Sequence, residues 1–280
     1  MYLGSRLSAI NHAPARSFIS PADGRVRHEI DDSGSALLMD EDQILYHAQR
    51  QKPLSVVSCL YHPPLMCAYP EIQKMPVVFN SNMQGAALTR SPDTLWQLHI
   101  GLAGNSDQAA PQPELARTNL LHELQHVVQA LEGHPFGTVL PAEIERERQR
   151  RLQRLEKLAK GHAPDSLADR RLQKQMGALK TSDAPQDKSL IEKAHRRYLC
   201  TSGEIEAYDT EARRDMTAQE RRQLPSAIEF FAQLGPRAAL RELRTVSCNY
   251  TCMPQFGPAA RTDSLKDEST LRVAARLQFD

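Results

Sequence analysis

The 280-residue chain contains 35 Lys and Arg against 34 Asp and Glu, a net charge of +1, and 40% of its residues are apolar. This balance argues against electrostatic attraction of the whole protein to nucleic acid or to a membrane surface, and the apolar content suffices for the core of one or two domains. No stretch reaches the 18 or so apolar residues of a membrane span, and the first residues lack the apolar run of a Sec signal peptide, so we expect a cytoplasmic protein or one exported by a dedicated machine.

The first part of the chain is polar. Turn-forming residues occur at PADG and DDSGS, and between them Val26 to Ile30 has the composition of a short strand. We therefore expect residues 1–50 to form a loosely packed N-terminal segment that precedes a main domain over residues 51–232. Residues 233–280 carry no recognisable chemistry and are predicted to form a C-terminal extension.

The middle of the chain predicts a small sheet. MPVVFN (75–80) is typical of a strand, and GAALTRSPDTLWQLHIG (85–101) predicts two strands around an SPD turn. This hairpin comes shortly before the stretch LLHELQHVVQALEG (120–133), and we expect the sheet and that stretch to pack together.

The stretch LLHELQHVVQALEG places His122, Glu123 and His126 in the HExxH spacing of zinc peptidases. Because residues four apart lie one above the other on a helix, two neutral imidazoles can occupy adjacent corners of a tetrahedral zinc site. Glu123 lies one residue further round the helix, where it can act as general base toward a zinc-bound water. The candidate zinc ligands are therefore His122 and His126, and the candidate catalytic residue is Glu123.

The neighbours of this motif predict one continuous helix. At about 100° per residue its apolar side chains fall within an arc of roughly 120°, with the histidines nearly opposite. These apolar residues are Leu120, Leu121, Leu124, Val127, Val128 and Leu131. One face then packs and the other presents the histidines, and Gly133 is the expected helix end. The alternative is an ordinary amphipathic helix with two histidines on its polar face.

Residues 141–180 are rich in charge, with an excess of Lys and Arg, and predict two helices that break near GHAPDS. They lie within a predicted charged helical insertion over residues 141–190. The expected form is a solvated helical pair with internal ion pairs, and the alternative is a basic surface that contacts nucleic acid or an acidic partner. Because the insertion precedes the next candidate ligands, it can cover the cleft.

A catalytic zinc ion needs a third protein ligand and keeps its fourth position for water. The segment YLCTSGEIEAYDTEARR, from Tyr198, offers Glu204 and Glu206 near the start of a second helix, with Ser202 as candidate N-cap. Residues two apart on a helix point about 200° from each other, so only one glutamate can face the metal. Glu204 shares its side with apolar residues, whereas the side of Glu206 is typical of solvated surface. We favour Glu204 as the third ligand, with Glu206 as the alternative.

This arrangement resembles that of the gluzincin peptidases, in which the ligand glutamate commonly begins an E-x-x-A motif, matched here by Glu204 and Ala207. In many gluzincins the residue four positions after the ligand is an Asp or Glu that orients a ligand histidine, and here it is Tyr208. Two roles follow from the resemblance. Either Glu211 orients the histidine, or Tyr208 directs its hydroxyl at the reacting centre and stabilises the transition state.

Four ordered blocks extend the resemblance: ADGRVRHEIDDSGSAL, LYHPPLMCAYPEI, LLHELQHVVQALEG and GEIEAYDTEARR. In this order they resemble the zincin-like domain of large polyvalent proteins of bacteriophages and conjugative elements, which travel with mobile DNA. Two features depart from that pattern: Tyr208 stands where an Arg is usual, and the segment between the ligand blocks is long. The resemblance implies an α+β, zincin-like fold with an HExxH active-site helix, a small sheet and a charged helical insertion.

The same resemblance implies how a substrate binds and where the protein acts. In zincins an edge strand above the metal helix binds the substrate backbone as an added strand, and Thr94 to Ile100 is the candidate for that strand. A relative of the phage proteins acts in the cytoplasm, or is delivered into a target cell by a phage or a secretion machine.

The sequence thus predicts a zinc-dependent metallopeptidase that acts on a protein or peptide and has no membrane partner. One alternative is a catalytically idle accessory or binding module of a mobile element or injected effector, although a purely structural zinc site has no use for Glu123. Another is a nucleic-acid-associated protein that acts through residues 141–180. Five cysteines, an odd number, fit a reducing compartment. Cys248 and Cys252 lack a second metal-binding pair, and we interpret them as structural or incidental.

Overall fold

Helices and small sheets are interspersed along the chain, which gives an α+β architecture. The computed structural model describes residues 1–3, 14–20, 23–83, 85–89, 96–102, 112–134, 140–181, 188–199 and 201–229. The predictions for the C-terminal extension beyond residue 229, for Cys248 and Cys252, and for the SPD turn fall outside these ranges. Within them, no helix has both the length and the apolar character needed to cross a membrane.

The strands and helices of the described ranges are as follows. The strands are β1 (Tyr2–Leu3), β2 (Arg16–Ile19), β3 (Val26–Glu29), β4 (Ala36–Leu37), β5 (Leu54–Ser55), β6 (Leu60–Tyr61), β7 (Pro76–Asn80), β8 (Ala86–Thr89) and β9 (Gln97–Gly101). The helices are α1 (Glu41–Arg50), α2 (Val56–Cys59), α3 (Pro63–Ala68), α4 (Pro113–Glu132), α5 (Leu140–Ala159), α6 (Leu167–Lys180), α7 (Lys188–Tyr198), α8 (Ser202–Arg213) and α9 (Ala218–Gln223), with a 3-10 helix at Pro70–Lys74.

The largest sheet has the strand order β5-β7-β9-β8. β7 and β9 run parallel, and β8 and β9 form the predicted antiparallel pair, with Ala86 opposite Ile100. β9 therefore lies between two strands, and the edge strands of this sheet are β5 and β8. The expectation that Thr94 to Ile100 contains the edge strand is wrong, because β7, which precedes the hairpin in sequence, pairs with the other side of β9.

Helix α4 packs its apolar face against this sheet. Proline at position 113 begins the helix, where a missing N–H costs no hydrogen bond, and Gly133 ends it in the left-handed conformation with φ +63°. The apolar residues predicted to share one face are buried in the same core as the strands; those with less than 2% exposure are Leu120, Leu121, Leu124, Val127 and Val128. The predicted helix, its packed face and its end are confirmed.

A second sheet, of order β1-β3-β2, joins the N-terminal residues to α4 and α8. The backbone N–H and C=O of Tyr2 bond to the side chain of Gln125 in α4, and the Tyr2 hydroxyl donates to Asp209 in α8. Arg27 and Glu29, both in β3, are fully buried. The predicted strand near residue 26 is confirmed. The expected loose packing is wrong, because the polar side chains of this segment pair with polar groups of later helices.

Buried ion pairs connect the N-terminal segment to α8 and α9. The carboxylate of Glu29 accepts hydrogen bonds from Arg213 (2.8 Å) and Arg221 (2.7 Å). Asp32 accepts from Arg221 at 3.1 Å and lies 2.8 Å from His62 Nε2. Because each buried charge has a partner of opposite sign, the cost of burying it is offset by pairing and hydrogen bonds.

Helix α8 lies between α4 and the N-terminal sheet. Its N-cap is Thr201, one residue before the predicted Ser202, which is the first residue of the helix. Every residue from Gly203 to Arg213 is buried. The solvated side predicted to contain Glu206 is therefore wrong, because that side is covered by the N-terminal sheet.

The two predicted charged helices are α5 and α6, separated at residues 160–166 as expected. They pack with α7 around an apolar cluster of their own, formed by Leu152, Leu155, Met176, Leu179 and Leu190. Their surfaces carry ion pairs one turn apart, such as Arg148 with Glu145 at 2.6 Å. This is the expected solvated form. α7 ends at Tyr198, shortly before α8 begins at Ser202.

Candidate metal centre

The two histidines of the HExxH motif lie on one face of α4, a single helical turn apart. Both are buried, with 6% of His122 and 5% of His126 exposed. Their Nε2 atoms are 3.2 Å apart, and the rings meet edge to face with centroids at 4.9 Å. The helix thus directs both imidazoles toward the same point, as the four-residue spacing predicts.

Helix α8 brings Glu204 to the histidines. Its Oε1 lies 3.4 Å from His126 Nε2, and its Oε2 lies 3.7 Å from His122 Nε2. One ligand atom from each of the three residues lies within 4.8 Å of the others, and all three side chains are buried. Of the two candidate glutamates, Glu204 is the one that converges on the histidines.

Glu206 points to the opposite side of α8, where it is buried rather than exposed. Its carboxylate accepts hydrogen bonds from Arg27 Nε at 3.0 Å and from Gln129 Nε2 at 2.9 Å. Burial raises the pKa of Glu206 to about 7, although the hydrogen bonds from Arg27 and Gln129 oppose this rise. The predicted separation of about 200° between the two glutamates holds, and Glu206 occupies no ligand position.

Glu211 and Tyr208 both contact His122. The Oε1 of Glu211 lies 2.5 Å from His122 Nδ1, so Glu211 occupies the position of an orienting carboxylate. The ring of Tyr208 packs edge to face on His122, with centroids 4.8 Å apart. Of the two roles left open by the sequence, the geometry supports Glu211 as the partner of His122, with Tyr208 packed on its ring.

The two imidazoles direct their Nε2 atoms toward each other. His126 Nδ1 donates to Gln129 Oε1 at 2.8 Å, and His122 Nδ1 is directed at Glu211. With both rings protonated on Nδ1, the two Nε2 lone pairs can bind one cation. A tetrahedral zinc ion with Zn–N bonds of about 2.0–2.1 Å holds two nitrogen ligands roughly 3.3 Å apart. The spacing of the two Nε2 atoms therefore fits zinc.

Glu204 has an unsatisfied oxygen at the same point. Its Oε2 is buried and makes no hydrogen bond within the described part of the chain. A buried carboxylate oxygen that lacks a hydrogen bond is disfavoured, and binding a metal ion is one way to compensate it. Two imidazoles and one carboxylate are also the ligand set of many catalytic zinc sites.

Three buried carboxylates surround the two imidazoles. Burial alone lowers the pKa of His122, but Glu211, Glu204 and Glu123 together raise it well above its usual range. Burial raises the pKa of Glu123, against the attraction of His122 and His126. Burial also opposes ionisation of Glu204, but the two histidines lower its pKa. The centre therefore carries an excess of buried negative charge, which a divalent cation compensates.

Two further residues belong to this centre that the sequence did not single out. Tyr198, the last residue of α7, makes a hydrogen bond with Glu204 and lies close enough to Tyr208 and Glu123 for their charges to interact. Gln129 contacts His126 as described above. An i, i+3 spacing from His126 is a signal that could have identified Gln129, whereas Tyr198 depends on how α7 meets α8.

Comparison of the chain with protein-family models, with curated proteins and with solved structures found no match. The functional assignment therefore depends on the centre itself.

Proposed function

We propose that this protein is a zinc-dependent metallopeptidase with a zincin-like fold of the gluzincin type. In this proposal His122, His126 and Glu204 are the zinc ligands, and Glu123 is the general base. The observation that carries the proposal is the convergence of two imidazole nitrogens and one carboxylate within 4.8 Å, in a buried centre.

Glu123 favours catalysis over a structural role for the metal. It is 6% exposed, and its charge interacts with both histidines and with Glu204. A structural zinc site is closed by four protein ligands and needs no further carboxylate, whereas a catalytic site keeps one position open. With three candidate ligands and an adjacent carboxylate, the described residues match the catalytic pattern.

Zinc bound at this centre would polarise the scissile carbonyl and lower the pKa of the attacking water. Glu123 accepts one proton from that water as its oxygen bonds to the carbonyl carbon. The same carboxyl then donates this proton to the nitrogen of the amide bond that breaks, so the products are a free carboxylate and a free amine. Glu211 keeps His122 oriented throughout, because its Oε1 lies 2.5 Å from the ring nitrogen that faces away from the metal position.

Strand β8 is the candidate for binding the substrate backbone. It is one of the two edge strands of the largest sheet and runs antiparallel to β9. The side chain of Asn119, three residues before His122, donates to the carbonyl of Gly85 at 3.4 Å, which ties the start of β8 to α4. An extended peptide that pairs with β8 would lengthen the sheet on which α4 packs. This edge position supports a protein or peptide as the substrate.

The proposal includes the compartment in which the protein acts. The resemblance to polyvalent proteins of phages and conjugative elements favours action in the cytoplasm, or in a target cell into which the protein is delivered.

Glu123→Gln tests the proposal. The amide cannot accept the water proton but leaves the three ligands intact, so this variant should bind zinc like the wild type and lose at least 100-fold in the rate of cleavage. The measurement is hydrolysis of fluorescently labelled casein by the zinc-loaded full chain, with zinc content measured on the same samples. Cleavage by Glu123→Gln at the wild-type rate would contradict the role of Glu123. A zinc-loaded wild type that cleaves neither casein nor a mixed peptide library would favour a catalytically idle module.

A further inference from the structure

Gln129 connects the candidate zinc ligand His126 to helix α8. It is fully buried one turn after His126. Its side-chain oxygen accepts from His126 Nδ1 at 2.8 Å. Its side-chain nitrogen donates to the backbone carbonyl of Gly203 at 3.0 Å and to Glu206 Oε2 at 2.9 Å.

These contacts determine which way the amide of Gln129 points. A backbone carbonyl can only accept a hydrogen bond, so the NH₂ group must face Gly203 and the oxygen must face His126. His126 must then carry its proton on Nδ1, which leaves the Nε2 lone pair directed at the metal position. The tautomer that can bind zinc is thus selected by a group outside the ligand set.

The N-terminal sheet contributes Arg27, which contacts Glu206 on the side away from Gln129. Arg27 in β3 donates from Nε to Glu206 Oε1 at 3.0 Å and from its terminal nitrogen to Asp23 at 2.9 Å. Arg27 is fully buried and Glu206 is 1% exposed. With one oxygen bonded to Arg27, Glu206 presents the other to Gln129.

We propose that Gln129, Glu206 and Arg27 form a positioning relay that holds His126 in its zinc-binding tautomer and orientation. The inference deepens the proposed function and rests on its zinc assignment. It gives the second glutamate of the GEIEA segment a role: Glu204 binds the metal directly, and Glu206 acts on the metal through Gln129 and His126. It also makes the N-terminal sheet part of the metal centre.

The test is the zinc affinity of the full chain, measured by competition with a chelator of known affinity. The unfolding temperature of the metal-free protein is measured in parallel. Gln129→Met keeps the length of the side chain and removes both the acceptor and the donors. Loss of an outer partner of a metal-bound histidine typically lowers affinity about 10- to 100-fold, and we expect that loss here. Gln125→Met is the matched control.

Gln125 lies on the same helix and is equally buried, but it bonds to the backbone of Tyr2 and to Thr210 instead of a ligand. Its replacement should lower the unfolding temperature while zinc affinity stays within about threefold of the wild type. Equal loss of zinc affinity in both variants would overturn the relay, because the effect would then follow from general loosening of α4.

Glu206→Gln tests whether the relay extends beyond Gln129. The carboxylate of Glu206 offers one oxygen to Arg27 and the other to Gln129, whereas an amide has only one oxygen, so Glu206→Gln alone should lower the zinc affinity. In the Gln129→Met background the same change should have no further effect, since the residue through which it acts is gone. Additive losses would overturn the proposal. Wild-type affinity in Glu206→Gln would also overturn it, and this variant can be measured even if Gln129→Met fails to fold. A wild type that binds no zinc would instead overturn the proposed function.

Discussion

At the scale of single residues, Glu204 and Glu206 show what a helical pattern can and cannot predict. The 200° between them follows from helix geometry alone, and it correctly places only one of them beside the histidines. The environment of Glu206 was not predictable in this way, because its partner Arg27 lies 179 residues earlier in the chain. Polar residues at a helical period are typical of solvent exposure, and only tertiary contacts reveal that this polar face is buried against another polar face.

His134 provides a pH-dependent prediction at the same scale. Neither of its ring nitrogens makes a hydrogen bond with a described group. Burial lowers the pKa of His134 to about 4; Arg27 and Arg25 lower it further, while Asp23 and Glu132 oppose them. Between pH 6.5 and about 4 the unfolded chain therefore binds a proton that the folded protein does not. The free energy of unfolding falls as the pH drops through this window, and His134 has no such effect above it.

His134→Gln should remove this part of the pH dependence. Its unfolding temperature without metal should fall less between pH 7 and pH 5 than that of the wild type. His162→Gln, a change at an exposed histidine, should follow the wild type. Parallel curves for His134→Gln and the wild type would contradict the assignment.

At the scale of elements, periodicity identified most of the structure around the centre. α4 and its end at Gly133, the strand β7, the antiparallel pair of β8 with β9 and the charged helices α5 and α6 all follow from local patterns. The order of the strands in the sheet did not follow from local patterns. The parallel pairing of β7 with β9 joins segments that are separated by the whole of β8, and no local pattern encodes such a contact. For that reason β9 was predicted to be the edge strand of the hairpin, although the edge strand is β8.

A pair of glycine substitutions tests the packing of two elements with opposite expected signs. A Cβ on Gly101, at the end of β9, would lie 2.2 Å from the carbonyl oxygen of Met83 and 2.6 Å from that of Gly85. Because these neighbours are backbone atoms, Gly101→Ala should lower the free energy of unfolding by about 1–3 kcal/mol. Gly177, inside α6, has no atom within 4 Å of its Cβ position, so Gly177→Ala should raise it by about 0.5–1 kcal/mol. Chemical denaturation measures both, and a stabilising Gly101→Ala would mean that Met83 and Gly85, which precede β8, do not approach the end of β9 as described.

At the scale of the whole molecule, sequence blocks far apart in the chain meet around α4 and α8. The EIDDS segment contributes Glu29, which pairs with Arg213 at the end of α8. The AYPEI segment contributes Tyr69, whose hydroxyl donates to Glu132 at the end of α4 at 2.8 Å. α4 and α8 in turn provide His122 and Glu204. The blocks that carry the resemblance thus contact the two helices that provide the centre, and membership of the zincin-like class stays a prediction.

This convergence explains why the centre was only partly predictable. The HExxH pair depends only on two histidines four residues apart on one helix and was accessible from the sequence. Glu211 was one of two alternatives, because its contact with His122 requires the packing of α8 on α4. The supporting residues of the N-terminal sheet, Arg27 above all, were assigned to a loose segment, since a charged residue in a polar stretch gives no sign that it will be buried.

The central claim is that one zinc ion is held jointly by α4 and α8, and the most direct measurement is zinc per chain in the purified protein after exhaustive dialysis. The wild type should retain about one zinc, while His126→Ala and Glu204→Ala should each retain close to none, because a tight catalytic site needs all three protein ligands. The double variant Cys248→Ser, Cys252→Ser should retain as much zinc as the wild type. A wild type without zinc, or one zinc per chain in both the His126→Ala and Glu204→Ala proteins, would contradict the account.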